Sequence, residues 1–206
     1  MKYYFTFIVI LFLVSCKSET KQSTESVANS DSTKEVSKTK ASNLDFSSLF
    51  DNYICDITSS ELAEVLQLPE SSISVANSSS DNKCNFKLQG FGKGYENSGT
   101  PLSFGPIPSS KKHNNKVITN HLKEKKERPQ GMIMGRDIIL ADAGEGYITL
   151  QLLQGRVLIL NENYDPYFMI SYGNKNSVQE RTKEQHEQLT KKIIDLSNYL
   201  ISKHKK

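Results

Sequence analysis

Three cysteines divide the reactive sulfur of this chain into two kinds. Cys16 stands at a border, with the apolar "FLVS" before it and the polar "KSET" after it. A thiol at such a joint offers a sulfur nucleophile, since the thiolate carries cysteine chemistry. Cys55 and Cys84 lie further on, in sequence of globular composition. In an exported chain an even pair usually closes a disulfide; the competing reading is two buried thiols. Their separation excludes a CxxC redox pair, and neither has a histidine nearby in sequence to complete a metal set.

The imidazoles and carboxylates are less eloquent. His113, His121, His186 and His204 all sit in polar or basic segments and read as exposed. His186 and Glu187 lack a second histidine at metal spacing. Asp142 and Glu145 make a carboxylate pair that a turn explains equally well. There is no Gly-x-Ser-x-Gly, no His-Glu-x-x-His and no phosphate-binding loop. The run Gly90-Phe91-Gly92-Lys93-Gly94 lacks the last spacing of a dinucleotide fingerprint and opens no helix. No catalytic residue, metal or cofactor is therefore assigned. The remaining candidates are the aromatics Phe91, Tyr95 and Phe104, carried by the Gly-, Pro- and Ser-rich stretch 89–116. A long stretch without periodicity is often functional, and three aromatics on it suggest a binding loop; the alternative is a short edge strand around "PLSFG".

The start of the chain reads as a secretory signal. Lys2 supplies the cation, Tyr3 to Val14 the apolar run, and Ser15 the small residue before the border. Twelve residues at ~1.5 Å each make ~18 Å, too short for a bilayer core of ~30 Å. Leu13-Val14-Ser15-Cys16 resembles a bacterial lipobox. That resemblance implies cleavage before Cys16, a thioether to diacylglycerol on its sulfur and acylation of the new amine. Two or three chains would hold the protein on a membrane, at ~0.8 kcal/mol per buried CH₂. Lys17, by resemblance to the enterobacterial sorting rule, favours the outer membrane in a double-membraned cell; otherwise the outer face of the plasma membrane is expected. Asp31-Ser32-Thr33 resembles an O-glycosylation site of exported Bacteroidetes proteins.

Residues 17–45 are Ser, Thr, Lys and Glu with almost no large apolar side chain. They cannot bury enough surface to offset ordering entropy, so they read as a disordered tether of ~30 Å reach. The expected organisation is thus residues 1–15 signal, 16–45 lipidated end and tether, and 46–206 one globular domain. The formal charge of +3 is not that of a dedicated nucleic-acid binder.

The domain opens at Phe46. Thr58 and Glu61 form a capping box ahead of Leu62, Val65 and Leu66, and Pro69 stops that helix. "SISVA" is a weak strand, and "CNFKL" a clear one in which Cys84, Phe86 and Leu88 alternate with polar residues. "NKVITNHLKEKKER" predicts a short helix with Ile118 and Leu122 inward. Lys111 to Arg128 holds seven cations and two acids, read mainly as a solvated face. "MIMGRDIILAD", "GYITLQLL", "RVLIL" and "YFMISY" make an antiparallel meander, since their links are too short for crossovers. Ser177 and Glu180 form a second capping box, opening a helix whose stripe is Leu189, Ile193, Leu196 and Leu200.

These elements predict an α+β layer sandwich: an antiparallel sheet packed by a long C-terminal helix and shorter helices. Cys55, Glu61-Leu62, Cys84 two before Phe86, the Gly-acid segment at 141–146 and the long final helix resemble an uncharacterised family of secreted bacterial lipoprotein domains with a PsbP-like fold. The family's usual tryptophan after the second cysteine is absent. The resemblance implies no catalytic residues. The expected role is a lipid-anchored envelope binding module whose partner is an envelope protein, a glycan or a small molecule; the alternative is a structural or envelope-maintenance lipoprotein.

Overall fold

The computed structural model describes residues 45–77, 82–92, 99–144, 146–173 and 180–206. Cys16, the signal and the tether as far as residue 44 lie outside the described residues. Seven strands, β1 (Ile73–Val75), β2 (Cys84–Leu88), β3 (Thr100–Ile107), β4 (Arg136–Leu140), β5 (Tyr147–Gln151), β6 (Arg156–Leu160) and β7 (Tyr167–Ser171), form one antiparallel sheet. Its order is β1-β2-β3-β7-β6-β5-β4. Three helices accompany it: α1 (Ser59–Leu66), α2 (Lys111–Glu127) and α3 (Lys183–Lys203). The fold is α+β.

Alternation within the strands gives the sheet two distinct faces. On the first, Phe86, Phe104, Ile148, Val157, Ile159, Phe168 and Ile170 meet the stripe of α3. Leu189, Ile193, Leu196 and Leu200 are all fully buried, so the predicted stripe is the one that packs. Helix α1 lies on α3, burying Leu62 and Leu66. Lys192 of α3 donates to the Leu66 carbonyl at 2.5 Å, satisfying one of the open carbonyls at the end of α1. The predicted capping box holds: Thr58 Oγ1 accepts from the Glu61 amide at 3.2 Å, and Glu61 accepts from the Thr58 amide at 3.4 Å.

Cys55, just ahead of α1, is bonded to Cys84 at the start of β2, with Cα atoms 5.1 Å apart. The bridge closes a separation of 29 residues, which in the chain-entropy account contributes roughly 3–4 kcal/mol by restricting the unfolded chain. The Tyr53 hydroxyl lies 3.2 Å from the Cys84 sulfur.

The second face is covered over only part of its breadth. Ile118 of α2 packs with Met132, Ile138, Leu158 and Leu160. Beyond them the same face turns polar, with Asn85, Lys87 and Ser103 on β2 and β3. At the β4 edge, Lys125 of α2 donates to the Ile138 carbonyl at 2.6 Å and pairs with Asp137 at 2.8 Å. That covers part of an edge otherwise open to another strand.

Three expectations are corrected. Residues 100–107 are not loop or sheet edge: they form β3, third in a seven-stranded order. Two prolines and a glycine hid it, but Pro101 and Pro106 sit second and seventh of its eight residues, near the ends where a missing donor costs least. Helix α2 starts four residues earlier than predicted, capped by Ser110, and its inward residues are Asn114, Ile118 and His121; Leu122 is 38% exposed. The last helix is capped by Thr182 with Gln185, a complete capping box, and not by Ser177 with Glu180. Ser177 lies outside the described residues, and Glu180 precedes the helix.

Candidate functional site

Two of the three aromatics assigned to a binding loop, Phe91 and Phe104, are buried. Phe104 is 1% exposed on β3, its ring 6.0 Å from that of Phe86. Phe91 is 5% exposed, and its carbonyl accepts from Thr100 at 2.8 Å and from the Arg181 Nε at 3.1 Å. Both belong to the first-face core: strand alternation carries Phe104 there, and the bonds to Thr100 and Arg181 fix Phe91 just beyond β2. Tyr95 lies outside the described residues, as does Glu145.

Two other groups of polar side chains come together. The first joins the two ends of the domain. Glu61 accepts from Lys203 Nζ at 2.6 Å and from the Tyr199 hydroxyl. Lys203 also donates to the Asp56 carbonyl at 2.8 Å. His204 lies 3.2 Å from the Ser48 hydroxyl through Nδ1 and 3.7 Å from Asp56 through Nε2. Burial raises the Glu61 carboxyl, but the donated hydrogen bonds of Lys203 and Tyr199 outweigh it and leave the group below the ordinary carboxylate value. The same bond pushes the Tyr199 phenol up to about 12. The Glu61 carboxylate thus has donors from the capping box, the lysine and the phenol, so this cluster is a clamp.

The second group lines a cleft of about 230 Å³ on the second face, bounded by α2, the turns at 133–135 and 152–154, and the first residues of β4 and β6. Strand register builds its floor. Arg136 on β4 is opposite Gln151 on β5, which is opposite Arg156 on β6. Directly paired residues share a face, so three polar side chains lie in one row across three strands. Val117 and His121, one helical turn apart on α2, form a wall. Met134, Leu153 and Gln154 form the rim; Met134 is 64% and Leu153 54% exposed.

The row is unevenly satisfied. Arg136 donates to Glu124 at 3.1 Å and to the Ile133 carbonyl at 3.1 Å. Arg156 donates from Nε to Gln151 at 2.5 Å and has no carboxylate partner among the described residues. His121 is 6% exposed, and its Nδ1 is enclosed without a hydrogen-bond partner among the described residues. Burial holds its imidazole below the ordinary histidine value; Arg136 adds to this and Glu124 opposes it. An enclosed polar atom without a partner costs about 1–3 kcal/mol, which makes it a marker worth explaining. Met134 adds a second cost, taking φ 59°, a left-handed conformation rare outside glycine.

None of Arg136, Gln151, Arg156, His121 or Met134 was singled out from sequence as a site. One signal was there: His121 falls three residues after Ile118 and seven after Asn114, the spacing of one helix face. The row of Arg136, Gln151 and Arg156 depends on register across two turns and carries no local signature.

Among the described residues no group of three or more His, Cys, Asp or Glu could hold a metal ion, and no helix is long and apolar enough to cross a membrane. Comparison of the chain with protein-family models, with curated proteins and with solved structures finds no match.

Proposed function

We propose that this chain is a lipid-anchored lipoprotein of the cell envelope whose domain is a non-catalytic binding module, with the second-face cleft as its binding site. The anchor rests on the apolar run ending at Cys16 and on the polar tether after it. The disulfide supports an oxidising compartment, since structural disulfides are rare in reducing ones. One observation carries the binding reading: the cleft is lined by a histidine that is nine-tenths buried and whose Nδ1 has no partner among the described residues, beside an arginine without a counter-ion there. Catalysis receives no support from this group. It has an imidazole and guanidinium groups but no nucleophile, and the carboxylate nearby, Glu124, is engaged by Arg136 and by the Ile133 amide.

Metabolic labelling with a palmitate analogue tests the anchor. The wild-type chain takes the label and Cys16→Ala does not; equal labelling of the two overturns it. Crosslinking of intact envelopes tests the binding module against the structural alternative. A small-molecule module recovers no stoichiometric protein, whereas a stoichiometric envelope protein supports a structural role.

A further inference from the structure

The charge in the cleft can be counted from its lining. Arg136 is neutralised by Glu124, 3.1 Å away, and the residues lining the cleft include no acid. His121 is held toward its neutral form. Arg156 remains, half-buried, with one hydrogen bond to the neutral Gln151. The cleft therefore carries about one uncompensated positive charge, in a partly desolvated place where a guanidinium fork suits a carboxylate or phosphate. Neighbouring strands lie ~4.8 Å apart, so Arg136 and Arg156, two strands apart, stand ~10 Å from each other at the backbone. Gln151 lies between them and holds the Nε of Arg156, leaving the outer nitrogens of that guanidinium for an incoming group.

The rim is of the opposite character. Met134, Leu153 and Val117 present apolar surface beside the arginine row. The left-handed Met134 is followed by Gly135 at φ 62°, and a Cβ on Gly135 would stand 3.3 Å from the Leu152 Cβ. The turn is thus bent against the turn at 152–154, and strain of this kind collects at ligand sites. The volume of about 230 Å³ lies below the ~300–1,000 Å³ of pockets for drug-sized ligands. It suits one anionic head with a short apolar stem.

We infer that the cleft takes a small anionic amphiphile, its carboxylate or phosphate held by Arg156 and its apolar stem laid against Met134, Leu153 and Val117. The inference rests on the binding-module reading above and names the ligand class for that same cleft. A free organic acid and the phosphate of an organic ester share this chemistry, so the test separates them.

The full chain carrying Cys16→Ser is titrated with hexanoate, hexyl phosphate and neutral 1-hexanol, following the His121 imidazole signals by NMR. At least one of the two anions is expected to give a saturable shift, binding at least tenfold more tightly than 1-hexanol. Tighter hexanoate assigns a carboxylate and tighter hexyl phosphate a phosphate; either supports the class. Arg156→Gln should weaken the anion at least tenfold and leave 1-hexanol unchanged, with Arg156→Lys in between. Binding of 1-hexanol within tenfold of the tighter anion, or an unchanged affinity in a folded Arg156→Gln protein, overturns the anionic class and leaves the cleft as a binding site. No response of His121 to any of the three overturns both the class and the cleft.

Discussion

Glu61 at the start of α1 and Arg156 at the start of β6 are both half-buried charges, yet their surroundings differ in kind. Glu61 accepts from Lys203, from Tyr199 and from its own capping amide. Arg156 holds one neutral amide and faces a cleft. The clamp around Glu61 ties the last turn of α3 to the start of the domain, and the Cys55–Cys84 bridge lies one residue from Asp56 in the same region. The cleft has no such closure, and His121 beside it leaves a buried nitrogen without a hydrogen-bond partner among the described residues, as His204 Nε2 does beside the clamp, 3.7 Å from Asp56. A completed polar cluster contributes to stability; an incomplete one costs stability and calls for an explanation elsewhere.

The difference predicts opposite responses to mutation. The largest effect belongs to the clamp region. Cys55→Ser with Cys84→Ser should lower unfolding free energy by about 2–4 kcal/mol, measured by urea denaturation. A loss below ~1 kcal/mol would show that the bridge adds little to the fold.

Glu61→Gln comes next. It removes a charge-assisted acceptor from Lys203 and Tyr199, and at a half-exposed site the cost should be about 1 kcal/mol at neutral pH. The pH profile gives the sign. The Glu61 carboxyl is lowered from its ordinary 4.5, so its contribution is full above that value and is lost as pH falls through the lower folded value. Burial also lowers His121 and His204 from 6.5, so protonation favours the unfolded chain and stability already declines as pH falls below 6.5. Melting temperature against pH should therefore fall first in the histidine range and again below 4.5. Glu61→Gln should flatten only the second fall.

Sequence carried the clamp side of the molecule better than the cleft side. The Thr58–Glu61 capping box, the alternation of β2 and the leucine stripe of α3 are local patterns, and local patterns are what sequence displays. The start of α3 was misplaced in the same terms: Ser177-x-x-Glu180 was read as the cap, and Thr182-x-x-Gln185, the same pattern five residues on, is the box that forms. Long-range contacts flank the choice: Arg181, next to the cap, donates to the carbonyls of Phe91, Gly173 and Tyr172. Phe104 was misread because Gly and Pro around it masked a strand, and Phe91 because what buries it is distant in sequence, its carbonyl being held by Thr100 and Arg181. The cleft was illegible for a different reason: Arg136 and Arg156 are twenty positions apart in sequence and meet only through β-sheet register.

The smallest predicted effect bears most directly on the comparison. If His121 sits in the cleft for a ligand and not for the fold, replacing it with an apolar side chain removes an enclosed, unpartnered nitrogen and costs little packing. Thermal unfolding of His121→Leu without ligand at pH 7 should give a melting temperature equal to or above that of the wild-type chain. A fall of several degrees would contradict the account and place His121 among the residues that hold the domain together.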